Sequence, residues 1–201
     1  MQTASDMRAG GMVAITGVDE DSVLRLIAES TEIAAPEDFA EASSSTTPFL
    51  AIGNYLGEKN FAVSGDMAAC KVLREAALQE AGVKVARLLA VSGAFHSPLM
   101  LPAQQTLAAV LENTPLTPEA MSCPVYSNVT GDTFYYHHST PTDIKAALLN
   151  QLIQPVLWDK SMSLLLSSPS FQSAYEIGPG TVCSGIVKMY NRRAKVKYIK
   201  L

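Results

Sequence analysis

Phe49-Leu-Ala-Ile-Gly-Asn-Tyr-Leu-Gly-Glu-Lys-Asn-Phe-Ala-Val-Ser64 holds two apolar runs, 49–55 and 60–64, on either side of Leu-Gly-Glu-Lys. Short apolar runs around a polar, glycine-bearing turn predict an antiparallel hairpin. What flanks the hairpin decides the fold. Upstream, Gly11-Met-Val-Ala-Ile-Thr-Gly17 is an apolar run between glycines and reads as a buried strand. A helix follows, with Asp19 placed to cap its free N–H groups, Val23, Leu24 and Ile27 on one face, and an end near Ser30. Downstream, Asp66 is placed as the N-cap of a second helix. In it Met67, Cys70, Leu73, Ala77 and Ala81 recur at helical spacing, and Gly82 supplies the left-handed residue after it. Residues 85–91 read as a strand again. Strand, helix, strand, strand, helix, strand is the split βαβ order of a ferredoxin-like unit. Between the first helix and the hairpin, residues 41–48 (EASSSTTP) are polar and turn-forming and read as a surface loop.

Beyond residue 92 the character changes. Residues 101–113 are amphipathic and end before Pro115, and Pro124-Val-Tyr-Ser-Asn128 is a short strand. Thr140-Pro141 opens a helix, since proline suits a first turn whose N–H has no intrahelical partner. Ile144, Leu148, Leu149 and Leu152 follow at helical spacing and Pro155 stops it. A helix over 160–166, a strand over 173–177, the turn Gly178-Pro-Gly180, a helix from Thr181 and a strand over 196–199 complete an alternating α/β pattern. There are no internal repeats.

Hydrophobic residues make up 48% of the 201 and charged residues 17%, the balance of a folded globular chain. A net charge of −4 offers no general attraction for nucleic acid. Lys188, Arg192, Arg193, Lys195, Lys197 and Lys200 form a basic C-terminus, read either as a docking surface for an acidic partner or as a solvated face with lysines guarding an edge strand. Cys70, Cys123 and Cys183 have no metal-ligand or disulfide spacing. No apolar run approaches the roughly 20 residues a bilayer span needs, and Met1-Gln-Thr-Ala-Ser-Asp6 has neither signal-peptide nor transit-peptide character.

Chemistry has few candidates. His96 stands in Val91-Ser-Gly-Ala-Phe-His-Ser-Pro-Leu-Met100, just past a predicted buried strand and ahead of a helix. Loops at strand ends hold reacting groups on a rigid base, and imidazole changes protonation near neutral pH. On these grounds alone a structural role is the commoner outcome for a lone histidine beside Ser and Pro. His137-His138 lack a third ligand at metal spacing. Gly178-Pro-Gly-Thr181 leads from strand to helix but lacks the spacing of a phosphate-binding loop, so a tight turn is expected. Asn128-Val-Thr130 is a glycosylation tripeptide with nothing else to point to secretion. Gly53-Asn-Tyr-Leu-Gly-Glu58 imitates a nucleophile elbow with Tyr55 where a serine would stand. A phenol without an activating base, inside a hairpin, is a poor acyl acceptor.

Four strings in register resemble the malonyl-CoA:acyl-carrier-protein transacylases: Val91-Ser-Gly-Ala-Phe-His96, Pro124-Val-Tyr-Ser-Asn-Val129, Gln151-Leu-Ile-Gln-Pro-Val-Leu-Trp158 and Tyr175-Glu-Ile-Gly-Pro-Gly180. The first two look particularly like the mitochondrial form. The resemblance implies an α/β fold, with a ferredoxin-like subdomain over 10–92 and the C-terminal portion of an α/β-hydrolase-like acyltransferase core over 93–201. In that family an activated serine takes malonyl from malonyl-CoA and passes it to the phosphopantetheine thiol of acyl carrier protein. Both are substrates, and no cofactor is implied. His96 would be the base, and Gln151 the residue whose backbone carbonyl accepts the other imidazole N–H. The family's Gly-His-Ser-Leu-Gly elbow, its oxyanion-hole residues and the arginine that pairs with malonate precede the matched region, and Met1-Gln2 resembles residues shortly after that arginine. The expectation is therefore a chain without its own nucleophile, inactive alone, partnered by a missing N-terminal part and mitochondrial by likeness. Its exposed strand edges and apolar helix faces would invite association. The alternative is a non-catalytic fragment that docks acyl carrier protein or another partner through its basic C-terminus.

Overall fold

The computed structural model describes residues 1–34, 47–134 and 139–200. Most of the loop expected over 41–48, and the pair His137-His138, lie outside the described residues. Strands β1 (Gly10–Thr16), β2 (Leu50–Gly57), β3 (Asn60–Asp66) and β4 (Val85–Leu88) hydrogen-bond in the order β4-β1-β3-β2. All of these pairings are antiparallel. This is the strand order that the split βαβ reading of 11–91 requires. Helices α2 (Glu20–Ile33) and α3 (Met67–Gln79) cover one face. Val13, Ile15, Val63, Val23, Leu26 and Leu73 meet there in the main core. Leu73 is fully buried, so Leu73→Ala falls in the class costing about 2–5 kcal/mol.

Local chemistry accounts for the turns. The Asp19 carboxylate accepts from Ser22 N–H at 3.0 Å and starts α2. Gly17 has φ +106°, and a Cβ there would overlap the carbonyl oxygen of Gly82, itself at φ +94°. Only glycine lets these two turns touch.

Several expectations are corrected. Helix α2 runs three residues past Ser30, since no stop signal follows it and Ala34 N–H still bonds to Ser30 O. Its inner face is Val23, Leu26, Ile27 and Ser30, while Leu24 is exposed. Asp66 precedes α3 but makes no side-chain cap, because its carboxylate is taken by Arg8 and by Phe49 N–H. The strand expected over 85–91 ends at Leu88, where Leu89 N–H pairs with Met12 O and the chain turns away. A short helix α1 (Gln2–Met7) precedes the sheet, where the sequence carried no signal.

The second half supplies α4 (Leu101–Glu112), β5 (Val125–Tyr126), β6 (Thr133–Phe134), α5 (Pro141–Asn150), β7 (Val156–Leu157), α6 (Trp158–Ser167), β8 (Ala174–Gly178), α7 (Val182–Tyr190) and β9 (Val196–Lys200). Strand β7 joins the first sheet as its fifth member, parallel to β2 through Asn54↔Val156 and Tyr55↔Leu157. The two halves thus share one sheet. β8 and β9 form a separate two-stranded parallel pair, and β5 and β6 a small antiparallel one.

Candidate active site

The 89–100 segment leaves β4 and crosses the face of the sheet opposite α2 and α3. Two glycines admit it. An ideal Cβ on Gly10 would lie 2.5 Å from Ala94 N, and one on Gly93 would collide with Ser5 Oγ. Phe95, Leu152 and Ile153 pack against a buried cluster of Ala4, Met100 and Ala103. Ser97 is buried, its hydroxyl donating to Ala94 O at 2.6 Å and accepting from Leu99 N–H at 3.3 Å. Between these fixed points His96 adopts φ +58°, the one positive φ among the described non-glycine residues. Such a conformation costs on the order of 1–3 kcal/mol and persists where its surroundings over-determine it.

Helix α5 comes to meet the ring. Its start is a capping box: Thr140 Oγ1 accepts from Asp143 N–H, and the Asp143 carboxylate accepts from Thr140 N–H at 2.8 Å. At its far end Gln151 N–H bonds to Ala147 O, and Ile153 and Gln154 both donate to Asn150 O. The Gln151 carbonyl, one of the last on the helix, is left for another donor. His96 Nδ1 lies 2.8 Å from it. A carbonyl only accepts, so Nδ1 carries the proton and Nε2 carries the lone pair. Gln104 Nε2 donates to Leu149 O at 3.3 Å and ties α4 to the same helix end. The imidazole is half-buried, and Nε2 makes no hydrogen bond among the described residues. In that tautomer the ring can accept a proton at Nε2.

The remaining candidates are placed elsewhere. Tyr55 lies in β2, donates to Glu20 Oε1 at 2.8 Å, and burial pushes its phenol up to about 12. It is no acyl acceptor at neutral pH. The turn at 178–180 does lead into α7, but the amides of Cys183 and Ser184 at that helix start already donate to Glu176, at 2.8 and 2.7 Å. The Ser184 hydroxyl donates to the same carboxylate. Those bonds, Ser184's hydroxyl foremost, hold Glu176 below the usual carboxylate range. Asn128 uses its main-chain oxygen to hold Leu157 N–H at 2.7 Å. Burial raises the Cys70 thiol to about 12. No group of three metal-ligating side chains occurs among the described residues. The six C-terminal cations are exposed and form no ion pair among the described residues.

Sequence reading missed the supports of this site, Gly10, Ser5, Phe95 and Ser97. Only the run of small residues around Phe95 hinted at them. Gly10, Ser5 and Phe95 act through neighbours distant in the chain, while Ser97 acts within its own loop.

No protein-family model matches the chain. It is 34% identical over 195 residues to the malonyl CoA-acyl carrier protein transacylase of Bacillus subtilis, covering 97% of this chain and 55% of that protein. The mitochondrial malonyl-CoA-acyl carrier protein transacylase of Mus musculus is 28% identical over 201 residues, covering 98% and 49%. A solved malonyl-transacylase in complex with a type II PKS acyl-carrier protein superposes with a TM-score of 0.80 at 26% identity, over 98% of this chain and 57% of that one. The chain thus spans about half the length of the curated relatives it matches.

Proposed function

Because this chain is homologous over nearly its whole length to the malonyl-CoA-acyl carrier protein transacylases and shares their mixed α/β fold, we propose that it works in malonyl transfer from coenzyme A to acyl carrier protein, with His96 as the base. The observation that carries this reading is the 2.8 Å approach of His96 Nδ1 to Gln151 O. It fixes the proton on Nδ1 and leaves Nε2 to do chemistry.

The proposed steps balance without a cofactor. Nε2 takes the proton of a serine hydroxyl as that oxygen attacks the malonyl thioester carbonyl. The C–S bond breaks, and the coenzyme A thiolate leaves with the proton. The phosphopantetheine thiol of the carrier then gives its proton to Nε2 and attacks the malonyl ester, and the serine oxygen recovers the proton. The Gln151 carbonyl steadies the positive ring that forms in between. The serine is proposed to come from residues beyond these 201, because no Gly-His-Ser-Leu-Gly string occurs among them. In this division the ferredoxin-like unit, 10–92, is a platform, and 93–201 carries the base and its aiming carbonyl. Mitochondrial relatives support a mitochondrial location, although bacterial ones match as well. Finding the tagged gene product outside mitochondria would remove that part.

Radiolabelled malonyl-CoA supplies the test. Alone, the chain should take up no covalent malonyl group. Mixed with a polypeptide bearing the serine elbow, it should support transfer to acyl carrier protein. His96→Asn, which tolerates the left-handed backbone, should lower that transfer by about 10²–10⁴-fold. A malonyl adduct on the isolated chain, or undiminished transfer by His96→Asn, would sink the reading.

A second reading has in its favour the exposed C-terminal cations, which form no ion pair among the described residues: docking of the acidic carrier without catalysis. Carrier binding that survives neutralisation of Arg192, Arg193 and Lys195 would count against it.

A further inference from the structure

We propose that Arg8 is a positioning residue for His96, acting through helix α1. The proposal rests on the reading of His96 as the base.

Arg8 closes α1 and grips Asp66 with two guanidinium nitrogens, Nε to Oδ1 at 2.5 Å and Nη2 to Oδ2 at 2.7 Å. The side chains are 19% and 3% exposed, so this pair is largely removed from water. Three chain segments meet at it. Arg8 Nη2 also donates to Thr47 O at 3.2 Å, Phe49 N–H donates to Asp66 Oδ2 at 2.7 Å, and Met67 N–H bonds to Ala9 O at 3.0 Å. The exit of α1 is therefore fastened to the end of β3 and the entry of β2.

The other side of α1 is the wall behind the catalytic loop. Ala4 packs with Met100, Ala103 and Phe95, and Ser5 meets Gly93. These are the contacts that confine His96 to φ +58°. Helix α1 has six residues and no side-chain cap, too little to hold its own place. Its position against Gly93 and Met100 follows from its tie at Arg8. Released there, α1 withdraws, the loop relaxes and the imidazole swings off the Gln151 carbonyl. A planar fork is required, because a lysine supplies the charge without the two parallel bonds.

The test follows the His96 Nδ1–H proton in protein labelled with ¹⁵N-histidine. In Arg8→Met, its exchange with water should quicken at least tenfold while the amides of Val13 and Val63 stay protected. Arg8→Lys should fall between parent and Arg8→Met. Arg8→Met leaves a buried carboxylate without its partner, so the double variant Arg8→Met/Asp66→Ala is needed as well. A merely structural role predicts that removing the stranded charge restores both thermal stability and the His96 proton. Positioning predicts that stability recovers and the His96 proton stays fast. An unchanged His96 proton in folded Arg8→Met, or its recovery in the double variant, overturns the proposal. A parent protein with no protected Nδ1–H would instead sink the reading of His96 itself, before any variant is made.

Discussion

At the scale of residues, the proposed chemistry depends on main-chain atoms more than on side-chain identity. Gln151 contributes an oxygen that every residue has, and its side chain makes no hydrogen bond among the described residues. Gln151→Ala should therefore leave the Nδ1 contact intact and hold transfer within about twofold in the complemented assay, the scale of a neutral surface change. A loss as deep as that of His96→Asn would mean the side chain itself takes part. Tyr55→Phe is the matching control for the false elbow. It removes one phenol–carboxylate bond, costs stability by about 1 kcal/mol and should not touch transfer. Residue type marked His96 only as one candidate among several, and the role proposed for it came from the resemblance of the strings around it. The positive φ and the pegs at Gly10, Ser5 and Phe95 were hidden, because each is fixed by a residue dozens of positions away.

At the scale of elements, three helices begin on carboxylates. Asp19 at α2, Asp143 at α5 and Glu176 at α7 are all held below their ordinary values, in each case first by a hydrogen bond to a residue in the helix start or cap: Ser22, Thr140 and Ser184. A depressed carboxylate contributes stability that is complete above its unfolded pKa and is lost as pH falls through its folded one. The helix starts should thus loosen below the ordinary carboxylate range of about 4, and stay closed above it. Amide protection factors at 143, 183 and 184, followed downward in pH, would check this, and flat profiles would contradict it. Asp143→Asn should abolish the dependence at α5, the helix whose far end aims His96. These caps were readable where the signal is local: Asp19, and Thr140 with Pro141, sit where their residue types predict. Asp66 was misread because Arg8, 58 positions upstream, claims its carboxylate. Strand β7 was invisible, since two residues following a proline acquire strand form only by pairing with Asn54 and Tyr55.

At the scale of the whole molecule, the second half leaves apolar surface that no described residue covers. The alternation of strand and helix over 173–199 was legible, and the parallel pairing of β8 with β9 was not read from it; a sequence shows which side chains are apolar and not what lies on them. Parallel strands are ordinarily buried on both faces. Here α6 and α7 cover one face of the pair. The other presents Tyr175, 56% exposed, and Ile177, 62% exposed, each beside its register partner, Lys197 and Ile199. Val182 on α7 is 73% exposed, and α5 buries none of its residues despite Ile144, Leu148 and Leu149. A sheet with an apolar face and free edges pairs with whatever polypeptide it meets. The isolated chain should therefore self-associate, and the association should be weakened by salt far less than a contact between charged surfaces would be. Ile177→Lys sets a charge in the middle of that face, diagonally across from the lysine already at 197, and should shift the population toward monomer. Because the Ile177 side chain is exposed, thermal stability should change little. Light scattering and sedimentation on parent and variant read the outcome. A parent that is monomeric across the concentration range, or a variant that associates as strongly as the parent, would show that this face is not where copies of the chain meet.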